Sequence, residues 1–473
     1  YQALSADTKG SRNVAVGYSA LFSQNFTSST NAFNTAVGDS AGQQITTGVR
    51  NTLIGSEAGD ALTTGNQNTI IGEGAGTALT DADYNVVFGR AALAADTKGS
   101  RSTALGYNAL GTQNFTSATD TYNTAVGYEA GQQVTTGIKN TLIGGLAGDA
   151  QTTATANTGV GYGALGANTT GQSNVAVGEN ALGNYNVTDG SESFNTALGY
   201  RAGLSVTTGI DNAIIGAKAG DALTTGSQNT AIGLEALTGE DSGSASTAVG
   251  YLSLRVQNND ALNHNTAVGY QSGVAVSSGT GNTLIGSFAG HNCTTGNNNV
   301  VVGFDNAISA ADTAQVIVLG KGVTSQAANN FTFGFTTTDS NIAFGATSIT
   351  APSDERYKED IADSTAGLSF IKDLRPVTFK WKKSKDVPSD HKAYIADGEE
   401  GSDERVMQRG DKIQHGFIAQ EVKTAIDNHS EIKDGFDMWS ADPTDGRQRL
   451  GPSALIPILV KAIQELSAKN DAL

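Results

Sequence analysis

The sequence predicts a mainly β protein in which a long parallel β-solenoid of about 18 coils is followed by a small α+β domain. Three observations predict this fold class. A five-residue motif ending in glycine recurs with a 17-residue period as far as residue 320. The chain contains 59 glycines but only 7% aromatic residues, which leaves little material for a large globular core. All six prolines lie after residue 351, where the repeat has ended.

The repeated motif reads NTAVG, with variants such as NVAVG, NTLIG, NTIIG and NVVFG. A short apolar run before a glycine is typical of a strand that ends at a tight corner. Seventeen residues have room for two short strands and two turns, so each repeat is predicted to form one coil. Most intervals between the closing glycines are 17 residues and the others are 19 or 21, with the glycines at positions 17, 38, 55, 72, 89, 106, 127, 144, 161, 178, 199, 216, 233, 250, 269, 286, 303 and 320.

Both faces of the predicted strands are apolar. Alternation along a strand separates two sets of side chains, which are Ala36, Leu53 and Ile70 on one face and Val37, Ile54 and Ile71 on the other. One set can fill the thin interior of the coil. The other set would leave a continuous apolar stripe on a single chain, and such a stripe needs a partner. The same stripe on identical chains is the simplest partner, so we expect a homotrimer.

The repeats resemble the head repeats of trimeric autotransporter adhesins, which form parallel β-rolls. The resemblance is carried by NVAVGENAL at Asn174–Leu182 and by NTAVGYEAG at Asn123–Gly131.

Insertions occupy one slot of the repeat, so they are predicted to protrude from one face of the solenoid. They span Phe22–Asn34, Gly111–Asn123, Gly183–Asn195 and Val256–Asn265. Their aromatic residues are candidate contacts for a glycan or protein receptor on a host surface, with tolerated surface loops as the alternative; these residues are Phe26, Phe33, Phe115 and Tyr122.

Charge and composition exclude several classes of function. The chain has 46 acidic and 29 basic residues and a net charge of −17, which disfavours nucleic-acid binding. Cys293 is the one cysteine, so internal disulfides and cysteine-rich metal sites are excluded. We expect no metal, no cofactor and no membrane span, since no apolar run approaches the roughly 18 residues that a span requires. Acidic residues are scattered at corners, so no enzymatic activity is predicted for the solenoid.

Three regions are predicted along the chain: a solenoid over residues 1–325, a transition segment over 326–350 and a separate domain over 351–473. In the transition segment the motif returns at the closer spacing of NFTFG and NIAFG. The insertions lie 89 residues apart in the first two copies, and this offset aligns Tyr1 with Arg90 inside a repeat. The repeat is therefore expected to continue upstream of residue 1.

The last region mixes helical and strand patterns. Thr365–Leu374 has helical spacing, Val377–Trp381 alternates as a strand, and Lys382–Arg409 is charged and predicted to be a long exposed loop. The stretch KIQHGFIAQEVKTAI then predicts a strand that leads into a helix. A final helix is predicted to form a coiled coil through the seam Leu455, Leu459, Ala462 and Leu466.

Four motifs in this region, SDERYKEDI, LRPVTFKWK, HGFIAQEV and LIPILVKAIQEL, occur in that order. They closely resemble the C-terminal intramolecular chaperone of phage endosialidase tailspikes, a self-cleaving peptidase domain that occurs on many phage tail fibres. The resemblance covers about residues 351–473. It implies a domain that trimerises, assists the folding of the β-rich region before it, and then releases itself by cutting the bond between Pro352 and Ser353.

The resemblance also implies the residues of the reaction. Ser353 would be the nucleophile and Lys358 its general base, with Asp354 and Arg356 as supporting residues. A five-residue step places Ser353 and Lys358 on different faces of a helix or a strand, so a turn must bring them together. From the residues alone, the alternative is that Ser353 is the N-cap of a helix.

The predicted function is that of a trimeric shaft or receptor-binding protein of the phage tail-fibre or tailspike type, joined to a virion by a region upstream. Its predicted location is the virion, or an extracellular or cell surface. Two alternatives are a bacterial trimeric surface adhesin that ends in a chaperone domain and a structural stalk that does not cleave itself.

Overall fold

A computed structural model describes residues 2–346, 348–351, 353–407, 412–433, 436–441 and 447–472. The chain divides into two compact units, Tyr1–Pro352 and Ser353–Leu473. Each unit has its own hydrophobic core.

The first unit is a β-solenoid, which confirms the predicted fold class. Its strands follow one another in chain order and pair in parallel, each with the strand one coil further on. Identical positions of the repeat face each other, as Ala36 faces Leu53. The strands of the solenoid are Val14–Val16, Thr35–Val37, Thr52–Ile54, Thr69–Ile71, Val86–Phe88, Thr103–Leu105, Thr124–Val126, Thr141–Ile143, Thr158–Val160, Val175–Val177, Thr196–Leu198, Ala213–Ile215, Thr230–Ile232, Thr247–Val249, Thr266–Val268, Thr283–Ile285, Val300–Phe304, Val316–Lys321 and Asn330–Phe335.

The predicted transition segment adds to this sheet. Asn330–Phe335 pairs in parallel with Val316–Lys321 and places Gly334 opposite Gly320, although only 14 residues separate the two glycines. The solenoid therefore has one strand more than the predicted number of coils. Thr338–Ala343 then pairs antiparallel with Asn330–Phe335, so the last strand of the sheet turns back on its neighbour.

Each coil contains one three-residue strand in most repeats, where two strands were predicted. After Gly38 the chain passes through residues in the left-handed region, with φ of 59° at Ser40 and 60° at Gly42, and an extended strand does not tolerate these angles. Hydrogen bonds between coils continue through this turn region, from Gly42 N to Ala58 O at 3.0 Å and from Gln44 N to Asp60 O at 2.9 Å. The turns therefore satisfy the backbone as a second strand would.

The structure decides which apolar set lies inside. Ala36, Leu53 and Ile70 are fully buried, whereas Ile54 on the opposite face is exposed. We call the outward side chains of the solenoid strands the strand face. Its exposed large apolar residues are Val14, Val16, Ile54, Val86, Phe88, Leu105, Ile143, Val175, Leu198, Val268, Ile285, Val300, Phe304, Ile317, Leu319 and Phe335.

The asparagine that precedes each strand is buried in most coils, and these asparagines form a column along the solenoid. Asn140 donates from its backbone N to Asn123 Oδ1 at 2.9 Å and from Nδ2 to Ala154 O at 2.8 Å. Its own Oδ1 accepts from Asn157 N at 3.0 Å. The first residue of the repeated motif thus satisfies buried backbone groups of neighbouring coils. The buried asparagines at this position of the repeat are Asn34, Asn51, Asn68, Asn85, Asn123, Asn140, Asn157, Asn174, Asn195, Asn212, Asn229, Asn265, Asn282 and Asn299.

The glycine that closes each motif has a positive φ and lies so close to the next coil that no side chain fits there. Gly144 has φ of 137°, and a Cβ there would lie 2.4 Å from the carbonyl oxygen of Gly161 in the next coil. Coils therefore stack backbone against backbone at this column.

Two of the predicted receptor contacts are wrong. Phe26 and Phe115 are only 6% and 7% exposed, because each packs inward beside the solenoid, while Phe33 and Tyr122 are exposed. The first two insertions also form short parallel pairs, Gly10–Ser11 with Thr30–Asn31 and Gly99–Ser100 with Thr119–Asp120.

Buried polar groups hold the second insertion in place. Asp96 accepts from Phe115 N at 3.0 Å and from Gln113 Nε2 at 2.6 Å. Desolvation by burial raises the pKa of Asp96. This hydrogen bonding explains why Phe115 lies against the solenoid and not at the surface.

Among its described residues the second unit has three α-helices, which we number α1 (Leu368–Asp373), α2 (Ala419–Asp427) and α3 (Leu455–Asp471). Strand Val377–Phe379 pairs antiparallel with Gln414–Gly416, and Trp439–Ala441 pairs antiparallel with Gln448–Leu450. Short 3₁₀ turns are formed by Glu355–Tyr357, Ser384–Asp386 and Pro452–Ala454.

The core of this unit is small and joins distant parts of the chain. Phe370 of α1, Val422 of α2, Met438 and Ile458 of α3 are buried together. The backbone N of Leu368 donates to Glu465 Oε2 at 3.0 Å, across 97 residues of sequence.

The predicted charged loop is partly ordered by ion pairs. Lys385 bonds Asp397 at 2.9 Å and Asp403 at 3.0 Å. It lies in the 3₁₀ turn Ser384–Asp386, so the segment is more regular than an open loop. The predicted end of this loop, Arg409, lies outside the described residues.

The predicted coiled-coil seam is wrong by one residue at two positions. Leu455 and Ala462 are buried in the single chain, and α3 packs against α1. The exposed apolar stripe of α3 consists of Ile456, Leu459, Val460, Ile463 and Leu466. None of the helices in the described ranges is both long and apolar enough to cross a membrane.

Candidate active site

The candidate site lies at the first residues of the second unit. Lys358 Nζ donates a hydrogen bond to Ser353 Oγ at 2.8 Å. A 3₁₀ turn over Glu355–Tyr357 separates the two residues and is closed by a hydrogen bond from Lys358 N to Glu355 O at 3.0 Å. This is the turn that the five-residue spacing requires, because it reverses the chain and returns Lys358 toward Ser353.

Asp354 begins the turn. Its Oδ1 accepts from Arg356 N at 2.9 Å, so Asp354 and not Ser353 is the N-cap. The alternative role that the residues alone assign to Ser353 is therefore filled by its neighbour. The Ser353 hydroxyl is left to bond the lysine.

The side chain of Arg356 also donates hydrogen bonds to the carboxylate of Asp354 that caps the turn. Its Nε donates to Asp354 Oδ1 at 3.0 Å and to Oδ2 at 3.1 Å. The hydrogen bonds from Arg356 lower the pKa of Asp354, and the nearby charge of Lys358 lowers it further. Asp354 therefore stays an anion, and keeps its capping role, to lower pH than an aspartate without these partners.

The bond that the resemblance implies as the cut site joins Pro352 to Ser353, and Pro352 lies outside the described residues. Ser353, Lys358 and Arg356 are exposed to solvent in the single chain. A serine hydroxyl bonded to an amine is chemically suited to acyl transfer, since the amine can take the hydroxyl proton once the amine itself is unprotonated.

His415, which lies in a matching motif, occupies strand Gln414–Gly416 opposite Thr378 and is exposed. The same motif continues into α2, where Glu421 Oε2 accepts from Arg375 Nε at 2.9 Å. This ion pair lowers the pKa of Glu421 through its hydrogen bonds from Arg375. It joins the arginine of LRPVTFKWK to the glutamate of HGFIAQEV, so these two motifs meet in space.

One polar cluster has no signal in the sequence. His429 Nε2 lies 2.8 Å from Asp373 Oδ2, and Nδ1 lies 2.9 Å from Glu431 Oε1. The histidine side chain is 12% exposed and packs edge-on against Phe370. Hydrogen bonds to Asp373 and then to Glu431 raise the pKa of His429. Asp373 is 56 residues away in sequence, so no local pattern predicts the contact.

Among the described residues, no group of three or more histidine, cysteine, aspartate or glutamate side chains could hold a metal ion. Cys293 lies in the solenoid core, where burial raises its pKa to about 11. It fills an interior position as a small apolar side chain would.

Residues 353–431 match the model of a peptidase family described as the chaperone of endosialidase. The match confirms the resemblance predicted for this region and begins at Ser353. It covers the site, α1 and α2 and leaves α3 and the solenoid outside it. No curated protein matches the chain.

Proposed function

We propose that the second unit is a trimerising, self-cleaving chaperone for the solenoid, in a protein of the tail-fibre or tailspike type. The observation that carries the proposal is the 2.8 Å hydrogen bond between Lys358 Nζ and Ser353 Oγ, at the residue where the family match begins. The proposed location is a virion or another extracellular surface.

In the proposed reaction, Ser353 Oγ attacks the carbonyl carbon of Pro352. Attack by a serine on the carbonyl just before it closes a five-membered ring, so the nucleophile needs little further positioning. The C–N bond of the peptide then breaks, the amine nitrogen of Ser353 gains a proton, and an ester joins Pro352 to Oγ. Water hydrolyses this ester, which leaves a carboxylate on Pro352 and restores the hydroxyl.

Lys358 is proposed to move the protons of this sequence. Its amine takes the hydroxyl proton from Oγ, delivers a proton to the leaving nitrogen, and then activates the water. Only an unprotonated amine can begin this cycle, so we expect cleavage to become faster as pH rises. Asp354 and Arg356 are proposed to support the site by holding the 3₁₀ turn that carries Lys358.

The proposed trimer rests on two exposed apolar surfaces. In α3, Ile456, Leu459, Ile463 and Leu466 follow one another at steps of three, four and three residues, the spacing of a coiled-coil seam. Val460 widens this stripe, which suits three helices better than two. In the first unit, the strand face presents a row of apolar side chains beside a row of threonines along its length, and such an apolar row needs a partner of the same length.

A chaperone is proposed because the solenoid specifies its own register weakly. Neighbouring coils are alike in length and sequence, so chains can pair one coil out of step and bury nearly the same surface. The second unit contains no such repeat and can assemble in one register. Cleavage after folding would make the assembly kinetically stable, because the part that guided it is gone.

Mass spectrometry of the purified full chain tests the cleavage. The proposal expects a fragment that begins at Ser353, and it expects Ser353→Ala and Lys358→Ala to remain intact. Lys358→Arg is the sharper variant, because it keeps the positive charge but a guanidinium cannot serve as a base. Ser369→Ala and Lys372→Ala, both exposed on α1, are controls that should cleave normally.

An uncut wild-type chain that still forms trimers would overturn the cleavage and leave a folding domain on a non-cleaving stalk. A cut that persists in Lys358→Arg would overturn the assigned base. A chain that remains monomeric when its mass is measured by light scattering would overturn the proposed trimer.

A further inference from the structure

The strand face of the solenoid is bordered by two corners that carry opposite charge. We define the leading corner as the exposed residue just before each buried column asparagine or serine, and the trailing corner as the two residues just after each closing glycine. In the coil of strand Thr52–Ile54, Arg50 is the leading corner and Glu57 is in the trailing corner. The strand lies between them, so the corners are the two edges of one face.

Each corner is a continuous column along the unit. Backbone hydrogen bonds join successive coils at the leading corner, from Arg50 N to Ala32 O at 2.7 Å and from Lys139 N to Thr121 O at 2.8 Å. At the trailing corner, Glu57 N bonds Asp39 O at 2.8 Å. Side chains of one column are therefore about 4.8 Å apart along the axis.

Before residue 150 the two columns differ in sign. The leading corner there contains three basic residues and no acidic residue, in a unit that is acidic as a whole; these residues are Arg50, Arg101 and Lys139, of which Arg101 is paired within the chain to Asp120 at 2.9 Å. The trailing corner contains the acidic residues Asp39, Glu57, Glu73 and Glu129. One basic residue, Arg90, also lies in the trailing corner, and it is paired within the chain to Glu73 at 3.3 Å.

Further along the solenoid both signs reverse over two coils, and the trailing corners of the coils on either side are acidic again at Glu179 and Glu235. Around strand Ala213–Ile215 the leading corner is Asp211, and the trailing corners of this coil and the one before it contain Lys218 and Arg201. Arg50, Lys139, Asp211 and Lys218 form no ion pair with any described residue of their own chain. A coupled change of sign on two edges that do not touch each other indicates that something else brings the edges together.

We propose that a second copy of this chain does so, by placing the leading corner of one chain against the trailing corner of the next around a rotation axis parallel to the solenoid. This inference rests on the proposed trimer and specifies its contact. In a closed ring of parallel chains each edge meets the opposite edge of its neighbour at a similar height. Basic Arg50 then faces acidic Glu57, and acidic Asp211 faces basic Lys218, each from the equivalent coil of the neighbouring chain, while the apolar strand faces turn toward the axis.

The reversal around Asp211 makes this contact selective for register. If one chain slides by several coils, Asp211 moves among the acidic trailing residues or Lys218 moves among the basic leading residues. Like charges brought together at an interface oppose the slipped arrangement. The apolar strand face is alike in every coil and cannot provide this selection, so the charged edges provide it.

Charge-reversal cycles in the full chain test the contact. The variants are Asp211→Lys, Lys218→Asp and the double variant, with Asp312→Lys as a control at an exposed turn outside both corners. The readout is the fraction of trimer recovered after refolding at a range of protein concentrations, measured by sedimentation at low and high ionic strength. Each single reversal should raise the concentration needed for half-assembly roughly tenfold at low salt, since each trimer contains three such contacts.

The double variant should restore assembly, the control should leave it unchanged, and high salt should reduce the effect of the single variants. Trimers that form normally in both single variants would overturn the contact and leave the proposed function standing. A double variant no better than the worse single variant would overturn it as well. A chain that is monomeric throughout would overturn both the contact and the proposed trimer, whereas self-cleavage is measured separately by mass.

Discussion

The two units of this chain are stabilised in opposite ways. The solenoid repeats one set of contacts from coil to coil: a buried apolar side chain, a buried asparagine and a closing glycine. The second unit has a small core and contacts that occur once, between residues as far apart as Leu368 and Glu465. Because its coils repeat, the first unit can stack on other copies in many nearly equivalent registers. The contacts of the second unit occur once, so it can assemble in one arrangement. This difference in the number of possible registers explains why a repetitive fold would depend on a non-repetitive domain at its end.

The largest expected effect is at the glycine column of the solenoid. Gly144→Ala places a Cβ 2.4 Å from the carbonyl oxygen of Gly161 and forces alanine to adopt φ of 137°. We expect the variant to lose about 3 kcal/mol or more of stability, or to fail to fold, when followed by circular dichroism on heating. Gly145→Ala is a matched control, because its Cβ would approach nothing nearer than Tyr162 at 3.6 Å. Equal stability of the two variants would contradict the backbone stacking described here.

The asparagine column should give the next largest effect. Asn140→Ala leaves Asn157 N and Ala154 O without their buried partners, which should cost about 2–4 kcal/mol in the free energy of unfolding. Asn140→Ser should cost less, because serine occupies the same column at Ser102 and Ser246. Denaturant unfolding of the full chain measures both. A smaller loss for alanine than for serine would show that the column acts through packing and not through hydrogen bonds.

The exposed apolar stripe of α3 is the surface through which the second unit is proposed to assemble, and a charged substitution there should prevent assembly. Ile463 is 66% exposed in the single chain, so Ile463→Asp should not alter the core of its own unit. In a coiled-coil trimer the same change should cost about 2 kcal/mol for each chain and prevent assembly at micromolar concentration. Gln464→Asp, at an exposed position of α3 outside the stripe, is the control. Light scattering that finds normal trimers of Ile463→Asp would exclude this stripe from the contact.

The smallest expected effect concerns the pH dependence of the second unit. The pKa of His429 is raised by Asp373 and Glu431, so the protonated histidine stabilises the fold. This contribution is fully present below the unfolded pKa of about 6.5 and is lost as pH rises through the higher folded value. We expect His429→Gln to remove less than about 1 kcal/mol of stability near pH 6 and to flatten the decline above it. The exposed His415→Gln is the control; an unchanged pH profile in His429→Gln would contradict the assignment.

Much of the first unit could be predicted because its signals are local. Each 17-residue repeat contains its own strand and its own glycine corner, so the solenoid follows from the repeat. The number of strands in a coil could not be predicted in the same way. The left-handed angles at Ser40 and Gly42 follow from stacking against the next coil, and the sequence offers no separate pattern for them.

The candidate site also has one part that the sequence could predict and one part that it could not. The spacing of Ser353 and Lys358 required a turn, and the family match covers both residues. That Asp354 caps this turn, in place of Ser353, depends on the hydrogen bonds of Arg356, which the spacing does not predict. The buried positions of Phe26 and Phe115 likewise depend on packing that an insertion sequence does not reveal.

By itself the sequence determined the period of the repeat, the parallel solenoid and the resemblance of the C-terminal region. Only the tertiary structure decided that Ala36, Leu53 and Ile70 face inward, and that α3 buries Leu455 and Ala462 while it exposes Ile456 and Ile463. The physical reason is that periodicity is a property of neighbouring residues, whereas the side of a strand or helix that becomes buried is decided by what packs against it from elsewhere in the chain. In both units two apolar sets competed for the interior, and the set left outside is the surface proposed to meet other copies of the chain.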